Sequence, residues 1–435
     1  MLILLVFFLG LASGCGHEER SPPRNVVLIT IDTLRADHVG SYGGPVPTPA
    51  MDTLALEGTQ IDRAFTPVPS TGPAVVSLLT GTHPWRHGVL LNAVTPRAGL
   101  PSLPERLQTA GFETAAFVSS YVVSARFGFD RGFDLHHFTP SHGAKPNAGD
   151  YRTQHWWSRG DETTDAVLRW LNSRGETPFF LWVHYMDPHD PYRPPAGFER
   201  PDDEPVDLAH KRLSSETEGH ERLRTLIRYY RGSVAYTDFQ IGRVLDELRA
   251  QNLLDQTLII LTADHGEGLG DHALLGHGYN LHDELVRVPM IFRGPQIPAG
   301  LALHGLAQLE DLMPTTLSML GLPYGESLDG VDLSPWLRGD VAMSPRTVAV
   351  GRRASFGKKP SFFYARSEEA TWIGKLDGSG IRFQPSSDPL ELRGHRVRGL
   401  PEPLQQYGDL LHSNGSTRAL DAESRAGLEA LGYLE

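Results

Sequence analysis

The stretch NVVLITID, Asn25–Asp32, decides the fold. Its first seven residues form a nearly continuous apolar, β-branched run with no polar alternation, which suits a strand buried on both faces of a parallel sheet. Similar runs recur at ETAAFVS (Glu113–Ser119), PFFLWVH (Pro178–His184) and QTLIILTA (Gln256–Ala263). Helical patterns lie between and after them. Leu100–Gly111 ends on a glycine, Val234–Asn252 carries apolar residues at helical spacing, and Leu309–Gly321 contains Pro314 as a kink or restart. Strands alternating with helices predict an α/β fold, a doubly wound and mainly parallel sheet. The polar stretches Ser141–Thr163 and Arg200–Glu221 read as long surface loops or partly helical excursions.

Towards the ends the texture changes. MLILLVFFLGLASGC is a short apolar run closing on small residues and Cys15, the single cysteine of the 435-residue chain. It reads as a secretory signal, and LASGC resembles a bacterial lipoprotein signal with Cys15 as the lipidated residue. The expected organisation is a signal or lipoprotein peptide over 1–15, a polar tether over 16–24, a catalytic domain over 25–340 and a smaller C-terminal α+β subdomain over 341–435. That subdomain is expected to end in a helix, DAESRAGLEALGYLE. An exported, membrane-anchored or periplasmic protein follows. One cysteine allows no internal disulfide and no cysteine-based zinc site. A net charge of −12 argues against a duplex nucleic-acid partner, which requires a basic face.

The polar residues are informative by position. The first strand runs into Asp32; the strand at Pro178 runs into His184, Asp187, His189 and Asp190; the strand at Gln256 runs into Asp264, His265, Glu267, Asp271 and His272. Ligands of open parallel sheets bind beyond the carboxyl ends of the strands. Three strand ends therefore deliver carboxylates and imidazoles, ligands for a divalent cation, to one edge. A further helix is expected over GPAVVSLLTG, beginning near Gly72 or Pro73, with Thr71 at or just outside its N-terminus. Free N–H groups there favour an anion, and a hydroxyl beside a cation loses its proton readily. On local chemistry alone a simple cap explains Thr71 equally well.

VVLITIDTLRADHVGSYG, LLTGTHPWRHGV, FFLWVHYMDPHDPY, ADHGEGLGDHALLGHG, ELVRVPMIFRGP and EDLMPTTLSMLGLP occur in this order. Together they resemble the sulfatase family of the alkaline phosphatase superfamily, over roughly Asn25–Gly339. The resemblance implies that family's fold and an esterase active site. Counting back from Leu78-Leu79-Thr80-Gly81 places Thr71 at the nucleophile position and Pro73 on the signature proline. Five departures follow. Threonine replaces the Cys or Ser that becomes formylglycine, and cannot yield that aldehyde. Val75 stands where an arginine is expected, and Ser119 roughly where a lysine is. Asp32-Thr33 replaces paired aspartates, and Asp264-His265 replaces an Asp-Asn pair.

The resemblance implies one divalent metal held by Asp32, Thr71, Asp264 and His265, with manganese or zinc favoured and calcium possible. It also implies a leaving-group acid in His189 and a substrate contact in His277. A second metal on Glu267, Asp271, His272 or Asp187 with His189 stays open. His184 is expected to pack against a strand neighbour, and Arg86 and His87 to lie near the substrate or on the surface. Three readings follow: a phosphoester or phosphonate ester hydrolase with Thr71 as nucleophile, a sulfuric ester hydrolase without formylglycine, or a non-catalytic descendant. The substrate is expected to be a small-molecule, glycan or lipid ester.

Overall fold

A computed structural model of the chain describes residues 21–97, 99–138, 157–198, 216–325, 327–353 and 361–412, the side chains of 216–218 excepted. The signal, most of the tether and the terminal helix expected at 421–435 lie outside these residues.

The main sheet is built on β1 (Asn25–Ile31), β2 (Thr59–Phe65), β3 (Glu113–Val118), β4 (Leu135–His137), β5 (Phe179–Tyr185) and β6 (Thr257–Ala263). A two-stranded ribbon follows, β7 (Gly268–Leu269) and β8 (Leu275–Gly276). Then come β9 (Arg287–Val288), β10 (Met290–Arg293) and β11 (Leu301–Gln308). The strand order is β11-β2-β10-β6-β1-β5-β3-β4, with β9 on β2. The pairs β1–β5, β1–β6, β3–β5 and β3–β4 are parallel, as is β11–β2. Only β10 runs backwards between β2 and β6 and β9 backwards on β2, so the sheet is α/β and mainly parallel as expected.

The central strands read as they do because both faces are covered. Every residue of β1, β5 and β6 is buried. Full burial of one such Val, Leu or Ile side chain stabilises the fold by about 1.5–3 kcal/mol. The helix expected from Val234 begins well upstream, at Glu216, and runs to Ala250. The end of the stretch Arg200–Glu221, read as a loop or a partly helical excursion, is therefore helical. The Leu309 segment is a 3-10 turn, Leu309–Asp311, followed by an α-helix over Leu312–Met319. Pro314 lies in its first turn, where no N–H is needed. Among the described residues no helix is long and apolar enough to cross a membrane.

A second sheet follows, an antiparallel series of β12 (Ala349–Arg352), β13 (Phe363–Arg366), β14 (Thr371–Gly374), β15 (Gly380–Phe383) and β16 (His395–Val397). It packs on the main body through Tyr364 and Ala349 against Phe65, Leu285 and Leu306. A second cluster joins Phe363, Val350 and Trp372 to Trp85. Arg366 ties the sheet down further: it donates to Glu391 at 2.6 Å, to the Leu281 carbonyl at 2.6 Å, and to Asp283.

Candidate active site

Three neighbouring strands, β6, β1 and β5, end at the same edge. Asp32 leaves β1 with its N–H on the Tyr185 carbonyl at 2.8 Å, so β5 fixes where the acid begins. Thr33 then takes a left-handed backbone, φ 58°. That conformation is unfavourable for a β-branched residue, of order 1–3 kcal/mol. Here it aims the Thr33 N–H at Asp264 Oδ1, 3.2 Å away, while His265 N–H donates to the same oxygen at 2.8 Å. The other oxygen, Asp264 Oδ2, stands 3.6 Å from His265 Nε2, and Asp32 Oδ1 stands 3.7 Å from that nitrogen. His265 Nδ1 is turned to the Gly266 carbonyl at 2.9 Å. The proton therefore belongs on Nδ1 and the lone pair on Nε2, facing the two acids.

Asp32, Asp264 and His265 form the one group of three or more such side chains, among the described residues, whose ligand atoms all lie within 4.8 Å of one another. All three are fully buried. Among the described residues nothing donates a hydrogen bond to Asp32 Oδ1 or Asp264 Oδ2. Two buried carboxylate oxygens without donors, converging with an imidazole lone pair, are costly alone and fit a divalent cation.

The carboxyls differ in character. Burial by itself would raise Asp32, but the imidazoles of His189, His184 and His265 outweigh it and hold the group far below the usual range. Asp264 is pushed up to about 7, by burial first and by the charge on Asp32 second. Burial also lowers His265, keeping it neutral and ligand-competent.

Thr71 arrives on α1 (Thr71–Thr80). The structure starts this helix one residue earlier than expected: Ser70, extended at φ −160° and ψ 131°, is the cap, and Thr71 is the first helical residue. The helix stops at Gly81, which takes the left-handed φ of 64° that a C-terminal cap requires. Thr71 Oγ1 lies 3.4 Å from Asp32 Oδ2 and 3.4 Å from His265 Nε2. One of the N–H groups at this helix start, that of Gly72, is already used: it donates to Asn92 Oδ1 at 2.7 Å. Asn92, in a loop with no motif around it, was not singled out by the sequence.

His189 and His277 come alongside. The His277 ring centroid is 4.4 Å from that of His265 and 5.0 Å from that of His189. His277 Nδ1 meets Glu267 Oε1 at 3.2 Å, and the Tyr192 hydroxyl donates to Glu267 Oε2 at 3.0 Å. Burial raises Glu267 to about 7. His189 Nδ1 contacts the Asp190 carbonyl at 2.5 Å, which places a proton on that nitrogen.

His184 is more than a packed strand residue. It is fully buried, and its Nε2 faces Asp32 Oδ2 at 3.7 Å. Thr30 Oγ1 accepts from the Trp182 indole at 2.9 Å and lies 2.8 Å from His184 Nδ1. With its proton on Nε2, facing Asp32, His184 accepts the Thr30 hydroxyl proton at Nδ1.

Other candidates are engaged elsewhere. Asp271 pairs with Arg35 at 2.5 Å, His272 with Glu284 at 3.0 Å, and Asp187 accepts from the Gly160 N–H at 3.1 Å. No second group of metal ligands is found among the described residues. His87 is buried with Nε2 on Ser77 at 2.9 Å and Nδ1 accepting from Val89 N–H at 3.1 Å, so it is structural. Arg86 pairs with Asp329 at 3.1 Å, and Ser119 bonds Thr163 at 2.8 Å.

The family model for sulfatases matches residues 24–322. A multifunctional alkaline phosphatase superfamily protein, PehA of Trinickia caryophylli, is 29% identical over 401 residues, covering 72% of this chain and 77% of its own. An N-acetylglucosamine-6-O-sulfatase of Bacteroides thetaiotaomicron is 25% identical, covering 82% of this chain and 77% of its own. Among solved structures, the phosphonate monoester hydrolase of Agrobacterium radiobacter shares the fold. Its TM-score is 0.70 at 23% identity, over 86% of this chain and 91% of that one. With the match spanning more than half of its length, the chain belongs to the sulfatase family, whose members include hydrolases of sulfuric and phosphoric esters.

Proposed function

We propose that the chain is a metal-dependent hydrolase with Thr71 as nucleophile, acting on phosphoric or phosphonic esters in preference to sulfuric esters. The observation that carries this reading is the place of the Thr71 hydroxyl, 3.4 Å from both Asp32 Oδ2 and His265 Nε2. Threonine is a secondary alcohol, and oxidation of its Cβ gives a ketone. The aldehyde route of formylglycine sulfatases is closed to it, whereas an alkoxide attacking phosphorus needs no oxidation. The phosphonate monoester hydrolase among the structural neighbours agrees in fold.

Asp32, Asp264 and His265, with Thr71 Oγ1, would hold the ion; two carboxylates and an imidazole suit manganese or zinc better than calcium. When bound, such an ion supplies a lowered hydroxyl pKa and polarises the ester. The chain's own residues do the rest. Thr71 Oγ1, its proton given to solvent, attacks phosphorus in line with the leaving alkoxide. His189 donates its Nε2 proton to that alkoxide, which departs as the alcohol. A Thr71 ester remains. His189, now neutral, takes a proton from water; the hydroxide displaces Thr71, whose departing oxygen takes a proton back from solvent, and the enzyme is restored. Glu267 keeps the His277 proton on Nδ1, so His277 presents Nε2 to the substrate. Export and anchoring through a lipid on Cys15 complete the reading.

Rates on aryl phosphomonoester, phosphodiester, phosphonate and sulfate, for wild type and Thr71→Ala with manganese restored, test it. Phosphorus esters should dominate, and the variant should lose about three orders of magnitude or more. A dominant sulfate rate reverses the preference, which the sulfatase names among the relatives keep in view. Equal rates for the two proteins remove Thr71.

A further inference from the structure

Tyr230 lies on the long helix Glu216–Ala250, outside the ligand cluster, and is fully buried. Its hydroxyl sits inside the corner that follows Asp32. It donates to the Thr33 carbonyl at 2.8 Å and accepts from the Arg35 N–H at 2.9 Å. A phenol can do both at once, with one proton to give and lone pairs to receive. Burial keeps that proton in place, holding the group far above the ordinary range of a tyrosine. Two rings fix the phenol from the sides: Tyr192 meets it edge-on at 5.5 Å and 82°, His38 at 5.1 Å and 85°.

The corner it closes is the strained one. Thr33 is left-handed at φ 58°, a conformation that a β-branched residue keeps only where its surroundings hold it. Two distant parts of the chain do so. Tyr230, 197 residues away, holds the Thr33 carbonyl, and Asp264 Oδ1 takes the Thr33 N–H at 3.2 Å. That N–H is in turn one of two donors that set the Asp264 carboxylate, the other being the His265 N–H. Asp32 is joined to the corner directly, and its carbonyl accepts from the Thr33 hydroxyl at 2.7 Å. Arg35 extends the brace, its guanidinium donating to the Glu267 carbonyl at 3.2 Å. If the Thr33 peptide turned out of the left-handed region, its N–H would leave Asp264 and both acids would lose their aim.

We propose that Tyr230 is a positioning residue of the metal site: its hydroxyl holds the Thr33 peptide in the left-handed corner, and that corner sets Asp32 and Asp264 to receive the ion. This rests on the metal-dependent reading for the place of the ion, but on neither Thr71 as nucleophile nor the preference for phosphorus over sulfur. The long helix thereby takes part in holding the ion without supplying a ligand to it.

The test is calorimetric titration of the metal-free full chain with manganese, the melting temperature of each metal-free protein being read alongside. Tyr230→Phe keeps the ring and removes both bonds of the hydroxyl; it should weaken manganese at least about tenfold. Thr33→Gly added to that variant should bring the affinity back to within about threefold of wild type, because glycine takes φ 58° without strain. Tyr42→Phe is the control. It removes another hydroxyl that bridges backbone groups, donating to the Ile61 and Met290 carbonyls at 3.0 Å each and accepting from the Met290 N–H at 2.8 Å. It should lower the melting temperature and leave manganese affinity as it was. Unchanged affinity in Tyr230→Phe, no recovery with glycine, or an equal loss in Tyr42→Phe each overturns the proposal. A wild type that takes up no manganese overturns the metal site itself and this proposal with it. No turnover is involved, so failure of the ester assays alone counts against the nucleophile reading and not against this one.

Discussion

The Glu267 carboxylate stands 3.2 Å from Nδ1 of His277, inside a wall made by Tyr192 and the His265 ring. One acid thereby orients an imidazole that touches a metal-ligand candidate. Glu267→Gln keeps an acceptor for His277 but removes the charge. The expected outcome is a fall in kcat of about ten- to a hundredfold with KM for a small aryl ester little changed. The pH–rate profile should also move, which loss of packing alone would not cause. Steady-state kinetics across pH check it.

Asp264 links metal binding to pH. In the metal-free protein it is raised from 3.8 to about 7. A raised carboxyl favours the fold in its protonated form. Its contribution is complete below about pH 4 and is lost as pH climbs through about 7. A divalent ion competes with that proton, so binding near pH 6 releases it. The rise in melting temperature on adding manganese should be larger at about pH 8 than at about pH 6. Asp264→Asn should abolish most of that difference. Thermal unfolding with and without the ion checks both.

His184 acts on Asp32 from behind. His184→Phe conserves volume, leaves Thr30 its bond from Trp182, and removes the imidazole 3.7 Å from Asp32 Oδ2. With one stabilising partner gone, Asp32 becomes less acidic. The acidic limb of the rate profile should move to higher pH, and activity at that limb should fall about tenfold. An unmoved limb assigns His184 to packing alone.

Asn92 holds the first turn of α1. Asn92→Ala strips the acceptor from the buried Gly72 N–H. Stability should drop by about 1–3 kcal/mol, read from the denaturant midpoint, because that donor is left without a partner. Thr71 should also sit less firmly, giving a lower kcat at saturating metal.

Much of this was legible in the sequence, for a physical reason. β1, β3, β5 and β6 are covered on both faces, so their apolar runs are unbroken. The acids and imidazoles at their ends stand out by contrast. β2 is only part-buried, and Gln60, Asp62 and Arg63 break up its apolar run, which hides it. β10 is four residues long and follows a proline. The long helix begins upstream of its apolar stripe, in a stretch rich in arginine. The role of His184 could not be read, because its partner Thr30 is 154 residues away and only strand pairing joins them. Asn92 lies in a loop, where no periodicity announces a side chain that caps another segment.

The reversed strand β10 pairs with β6 through Met290–Thr262 and Ile291–Leu261. Formally, β6 and β10 are the arms of a hairpin whose tip is the whole stretch from Asp264 to Pro289. Both feet of that stretch are nailed to the sheet at one edge, and no crossover is needed to bring the chain home. Lengthening such a tip is cheap, about 0.6 kcal/mol for each doubling of a flexible loop. Asp264 and His265 sit at one foot, while Tyr279–His282 lie further along the arch. Descendants of this chain can therefore lengthen or rewrite the arch to greet a new substrate while the ion-holding foot stays where it is.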